Sequence, residues 1–282
     1  QRHGGVRLTG GGFVGAYDAI PSIVAAYGMR CLRIAYTGGL LRLRRSSDNA
    51  ESDFGYTGEG NLDTAAIVTW LGAASGYVTT WYDQSGNGYN AAQTTAAAQP
   101  LYVASGQNGK PVIRWQGTND VLTAGDVLDL GSSNMSHVSV AKIGGNSQSI
   151  FSKYTSTEAA AGRWGLYRFD AEGGLEALYT NNVGSVRTTG AYSSTAVNLF
   201  SVVLERSAGA QKLYLNGAEH GTSSFVAEST NYNTAHAFNI GLHSPGLWLV
   251  GDIAEIVIAN TAWSNPQRQA VEAAANNYWA IY

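Results

Sequence analysis

One cysteine among 282 residues, Cys31, leaves no internal disulfide to brace the fold, so packing must hold this chain together. Charged residues are scarce at 13%, which excludes a coiled coil and a charged disordered tail. No apolar run approaches the length of a membrane span, and Gln1-Arg2-His3-Gly4-Gly5 lacks the apolar core of a signal peptide. The chain does not open on methionine, so either its first residue has been removed or it is part of something larger. A net charge of −3 gives no global attraction to nucleic acid, and neither nucleic acid nor membrane insertion is expected.

What is abundant is glycine, 35 residues, with 16 tyrosines and 7 tryptophans. Little charge, many turn formers and many aromatics fit short strands joined by tight turns, the pattern of a β-sandwich or jelly roll. The chain is long enough for one large β domain, and no internal repeat or second domain boundary stands out. Residues 1–16 read as a Gly-rich arm and 17–282 as a single domain, with 17–110 a helical and Arg-rich elaboration and 111–282 the sandwich proper.

The most organised stretch runs from Gly76 to Asn90. Val78, Thr80 and Tyr82 alternate with Thr79, Trp81 and Asp83, the period of a strand whose faces differ. The strand stops at Asp83-Gln84-Ser85-Gly86-Asn87-Gly88, where Asp83, Ser85 and Asn87 can bond their own backbone and the glycines allow positive φ. Such a loop either braces the fold or presents a ligand. Calcium would need six to eight oxygens and only one carboxylate is here, so no metal is assigned and no cofactor is expected.

Ahead of this stretch, Asp18, Pro21 and the stripe Ile20, Ile23, Val24, Tyr27 ending at Gly28 predict a short helix. Leu40 to Arg45 alternates and predicts a strand with Leu41 and Leu43 inward. Arg30, Arg33, Arg42, Arg44 and Arg45 crowd this region, to pair with Asp48, Glu51 and Asp53 or to meet an acidic sugar. Asn61 or Asp63 caps a second helix closed at Gly72. From Pro111 onward the pattern is uniformly β, including a hairpin at Asn216-Gly217 and a strand over Asp252–Ile258, until Ser264 and Pro266 open a terminal helix.

Trp115-Gln116-Gly117-Thr118-Asn119-Asp120, Lys212 to Gly217, Gly251 to Ile258 and the capped last helix, in that order, resemble the concanavalin-A-like or laminin-G-like jelly roll. Leu40 to Asn49 followed by Trp81 to Gly88 is similar to the catalytic domain of the α-L-arabinofuranosidase B family, and to bacteriophage virion proteins of tail, fibre or surface that carry this fold. The first likeness implies a retaining glycosidase with two carboxylates. Its nucleophile is a Glu in an Asp-x-Glu stretch after a Trp-bearing strand, which points to Glu172 in Asp170-Ala171-Glu172 after Trp164. Its acid is an Asp after an Ile-Gly-Gly run; here Ile240-Gly241-Leu242-His243 puts His243 at that place, with Asp170 the other choice. The family's paired cysteines are absent.

The second likeness implies a non-catalytic surface protein of a virus particle. The partners implied are host-surface glycan, other virion proteins and further copies of the chain, a trimer among the arrangements. A ligand face would draw on Trp164, Tyr179, Trp248 and Tyr232 for stacking, and on Glu172, Asn181, Asn182 and His243 for polar contacts. Each of these aromatics has a core position as its alternative.

Overall fold

A computed structural model describes residues 14–129, 131–145, 148–153, 163–168, 174–180, 186–188, 193–225, 227, 233–242 and 247–282. In chain order the elements begin β1 (Ile23–Gly28), β2 (Leu41–Arg45), β3 (Glu51–Phe54), α1 (Thr64–Leu71), β4 (Gly76–Trp81), β5 (Ala91–Ala92), β6 (Leu101–Gln107), β7 (Lys110–Gln116) and β8 (Leu122–Gly125). Then come β9 (Met135–Ile143), β10 (Gln148–Lys153), β11 (Arg163–Arg168), β12 (Leu175–Thr180), β13 (Val186–Thr188), β14 (Asn198–Glu205), β15 (Ala210–Leu215), β16 (Ala218–Ser224), β17 (Phe238–Ile240), β18 (Val250–Ala259) and α2 (Asn265–Trp279).

The antiparallel ladder is continuous and folds over on itself as a jelly-roll sandwich. One run goes β16, β15, β14, β9, β18, and the far edge of β18 is shared: β7 pairs with Val250–Ile253 and β1 with Glu255–Ala259. The other goes β13, β12, β11, β10, β17, β8, β5, β4. The runs meet face to face through rings. His137 of β9 stands edge-on to Phe151 of β10, centroids 4.9 Å apart, and Tyr27 of β1 stacks on Phe238 of β17 at 6.3 Å. On the outer side of β9, Ser136 Oγ accepts from the N–H of Trp263 just before α2. With both faces covered, β9 and β18 lose the alternating pattern of a half-exposed strand and are buried almost throughout.

Local signals place several elements. Asp63 accepts from Ala66 N–H at the start of α1, and Gly72 closes that helix at positive φ. Ser264 and Gln267 form a reciprocal capping box ahead of α2, with Pro266 in its first turn. Asn216 and Gly217, both at positive φ, turn β15 into β16.

The helix expected from the Ile20, Ile23, Val24, Tyr27 stripe is not formed. Ile23, Val24 and Tyr27 fall in β1 instead, with Ile20 ahead of it, because β1 completes the edge of β18 from Glu255 to Ala259 and β-branched Ile23 and Val24 suit a strand. Ile23, Ala25, Ala26 and Tyr27 are all buried there, more than one helical face would achieve.

Fully buried Glu255 in β18 knots the layers to the termini. It accepts from Arg30 at 2.9 Å, from Trp279 Nε1 of α2 at 2.9 Å and from the Tyr17 hydroxyl.

Candidate functional site

The loop after β4 is held by a dense set of hydrogen bonds. Asp83 is 3% exposed. Its Oδ1 accepts from Ala26 N–H and Ser85 N–H, each at 2.9 Å, and its Oδ2 from Ser85 Oγ at 2.7 Å and Tyr89 N–H at 3.1 Å. Asn87 donates its N–H to Ser85 Oγ at 3.2 Å and its Nδ2 to Val24 O at 2.9 Å. Gln84 reaches the other way, accepting from Leu32 N–H at 2.7 Å and donating to Arg30 O at 3.0 Å. The loop therefore staples β1 and the chain after it to β4, and the Asp83 carboxylate is filled by four donors. Asp83→Asn keeps the shape but turns one acceptor into a donor facing buried donors. We expect it to cost about 2–3 kcal/mol, read as a lower denaturant midpoint at unchanged slope.

The arginine cluster resolves into distinct roles. Arg42 pairs with Glu51 at 2.8 Å and Asp53 at 2.9 Å, and Arg45 with Asp48 at 2.7 Å. Arg30 is taken by Glu255, and Arg33 lies 3.8 Å from Asp18. Arg44 alone of the five has only neutral acceptors: Gln99 Oε1 at 2.7 Å, Asn49 Oδ1 at 2.9 Å and Ala96 O at 3.3 Å.

The residues expected at a sugar face fall into separate places. Asp170, Glu172, Asn181, Asn182, Tyr232 and His243 lie outside the described residues. Trp164 is fully buried, its ring 5.7 Å from Phe151 and 5.6 Å from Phe238 and its Nε1 donating to Leu128 O. It is therefore a core residue and presents no stacking face to solvent. Tyr179 is its backbone partner across β11 and β12, near the Lys153 end of β10. Trp248 is half-buried and bridges to Leu242. Just before it Gly241, at φ +84°, turns the chain so that Leu242 O accepts from Ser152 Oγ at 2.6 Å. A Cβ at Gly241 would stand 2.0 Å from Trp115 Nε1, so only glycine fits. Among the described residues no three His, Cys, Asp or Glu side chains come together as a metal site.

Sequence reasoning missed a cleft of about 430 Å³ lined by Arg44, Tyr77, Gln99, Gln116, Thr118 and Asp120. The signal was divided among β2, β4, the segment between β5 and β6, and the end of β7 with the chain beyond it, which only the fold brings together. Gln116 of this cleft pairs with Val250 of β18, whose N–H donates to Gln148 Oε1 at 2.8 Å.

With this geometry in view, three comparisons bear on the chain. A family model for the catalytic domain of α-L-arabinofuranosidase B matches residues 15–113, which include the Asp83 loop and the arginine cluster. No curated protein matches. Among solved structures, a GH54 α-L-arabinofuranosidase soaked with 4-nitrophenyl α-L-arabinofuranoside aligns at TM-score 0.68 and 17% identity, over 93% of this chain and 64% of its own. An arabinofuranosidase complexed with arabinofuranosyl-α-1,2-xylobiose aligns at 0.66 and 18%, with the same coverage. Domain 4 of AbnA, a GH43 extracellular arabinanase from Geobacillus stearothermophilus, in complex with arabinotriose, aligns at 0.52 and 16%, over 68% of this chain and 92% of its own. The chain spans 64% of the length of those two arabinofuranosidases. At these identities the likeness establishes the β-sandwich fold that this chain shares with them.

Proposed function

We propose that this chain recognises arabinofuranosyl-bearing glycans on an arabinofuranosidase-like sandwich and hydrolyses them with Glu172 as nucleophile. The observation that carries the reading is the agreement of two likenesses, the family model over residues 15–113 and the alignment of solved arabinofuranosidases over 93% of the chain. In the retaining mechanism the Glu172 carboxylate attacks the anomeric carbon while an acid protonates the departing oxygen. Water then releases the sugar, and the acid, now a base, takes the water's proton. Asp170 fills the acid role as a carboxylic acid, and His243 fills it only as an imidazolium.

The test is turnover of an aryl α-L-arabinofuranoside by the wild type and by Glu172→Gln. Wild-type turnover that falls about a thousandfold or more in the variant supports the reading. Equal turnover in both overturns the nucleophile, and absence of both turnover and binding of arabinotriose overturns the reading as a whole.

A second reading is favoured by His243, which stands where the resemblance implies an aspartate. In it the chain is a non-catalytic glycan-binding domain on a virion surface, in tail, fibre or capsid decoration, and its partners are host glycan and neighbouring particle proteins. Binding of arabinotriose without turnover would select it over hydrolysis.

A further inference from the structure

We propose that the cleft lined by Arg44, Tyr77 and Asp120 is a separate binding site for a neutral, hydroxylated sugar ring. The inference does not depend on hydrolysis at Glu172.

The argument begins with Asp120. It is 2% exposed, and its Oδ2 accepts from Gln116 N–H at 2.7 Å, while its Oδ1 has no partner among the described residues. A buried carboxylate is normally filled by donors, as Asp83 is by four and Glu255 by Arg30, Tyr17 and Trp279. Asp120 is half filled, and it lines an open cleft. Burial pushes its carboxyl above the ordinary range, against the pull of the Gln116 N–H. Donors to its Oδ1 would bring it closer to the filled state of Asp83.

Arg44 is the complementary group. Its guanidinium has five N–H groups and spends three on Gln99, Asn49 and Ala96 O, all neutral, so two N–H groups and the charge are left over. It is held flat by Tyr77, whose ring centroid is 4.9 Å below, and by Gln99, which is 3% exposed and anchored by Nε2 to Gln93 O at 3.0 Å. The side chain is thus fixed before any ligand arrives, which limits the entropy lost on binding. The Tyr77 hydroxyl makes no hydrogen bond among the described residues, which adds a second polar group without a partner.

Arg44 and Asp120 line the same cleft, yet no ion pair joins them. A group that fills the gap must donate to Asp120 and accept from Arg44. A hydroxyl does both, and adjacent hydroxyls on a sugar ring do so at two points. The formal charges of the lining cancel, so an acidic ring would meet Asp120 and a basic one would meet Arg44. That selects a neutral saccharide and withdraws the acidic sugar that five neighbouring arginines suggested.

The experiment follows backbone amide shifts in the full chain during titration with arabinotriose, xylotetraose and trigalacturonic acid. It is run on the wild type, Glu172→Gln, Arg44→Met and Tyr77→Ala. We expect a neutral oligosaccharide to shift the amides of Tyr77, Gln99 and Gln116 equally in the wild type and in Glu172→Gln. Arg44→Met and Tyr77→Ala should each weaken that response about tenfold, with aryl arabinofuranoside turnover unaffected. Arg44 and Tyr77 are only half-buried, so these variants should fold, which a wild-type pattern of remaining amides would verify. Shifts confined to other amides, an unchanged affinity in Arg44→Met, or tighter binding of trigalacturonic acid than of both neutral probes would each overturn the proposal.

Discussion

Replacing Glu255 with alanine should lower the stability of this chain by about 3–5 kcal/mol, because the substitution leaves the Arg30 cation buried without its counter-charge. Glu255 Oε2 accepts from Arg30 Nε at 2.9 Å and from Trp279 Nε1 at 2.9 Å, and Oε1 accepts from Arg30 Nη2 at 3.2 Å and from Tyr17. Arg30 also donates to Ala274 O at 3.2 Å and lies over the Tyr278 ring at 4.4 Å. Burial pulls the Arg30 guanidinium down and in the wild type Glu255 outweighs it; in the variant that support is gone, but a guanidinium is too basic to shed its proton near neutral pH, so deprotonation offers no escape. Burial, reinforced by Glu255, holds the Tyr17 hydroxyl well above its usual range, so Tyr17 stays a donor. For a domain of this size the loss corresponds to a melting midpoint about ten degrees lower. The pair Arg30→Met with Glu255→Leu removes both charges and should recover most of the loss, since filling such a site with apolar groups is often neutral or better. A Glu255→Ala midpoint within a degree of wild type would show that the knot carries no net stability.

That knot also marks where sequence reading stops. Arg30 and Glu255 are 225 residues apart, and Arg30 looks from the sequence like one more member of a surface arginine cluster. The same distance explains β1. Ile20, Ile23, Val24 and Tyr27 have helical spacing, and the edge of β18 that makes the last three a strand lies more than 200 residues away. Features set within a few residues were legible: the Ser264 capping box, Asp63 ahead of α1, the Asn216-Gly217 turn, and Leu41 and Leu43 inward on β2. The Asp83 loop was half legible. Its bonds to Ser85 and Tyr89 follow from local chemistry, whereas those to Ala26 and, from Gln84, to Leu32 need the fold. The candidate cleft was not legible, since Arg44, Tyr77 and the Asp120 segment after β7 become neighbours only when β2, β4, β6 and β7 pair in that order into one ladder. Trp164 could be read either way from sequence, and rings on β10 and β17 decide it for the core.

Acid should destabilise this chain at a pH where carboxylates are still ionised, and His137 is the reason. It is 1% exposed, its Nδ1 has no hydrogen-bond partner, and its ring stands edge-on to Phe151. Burial pushes its pKa from 6.5 down to about 3. The unfolded chain therefore binds a proton that the folded chain refuses between those two values, so stability rises with pH across the window. The contribution is whole above the unfolded value, falls as pH falls through the window, and stops falling below the folded one. By about pH 4.5 the loss amounts to about 2–3 kcal/mol, and across the full window to about 4–5 kcal/mol, unless the chain unfolds first. Asp48, whose carboxyl the Arg45 guanidinium holds at about 2, gives up its ion pair only below the ordinary carboxylate range, whereas Asp120, pushed up by burial, takes its proton more readily folded than unfolded and so opposes the acid loss. The upper part of the window thus belongs to the histidine. Denaturant midpoints measured for wild type and His137→Leu between about pH 7 and about pH 4.5 separate the two contributions. The wild-type midpoint should fall and that of the leucine variant should stay nearly level. Parallel curves would mean that His137 takes up its proton in the folded state, through water or through a shift of β9 away from Phe151.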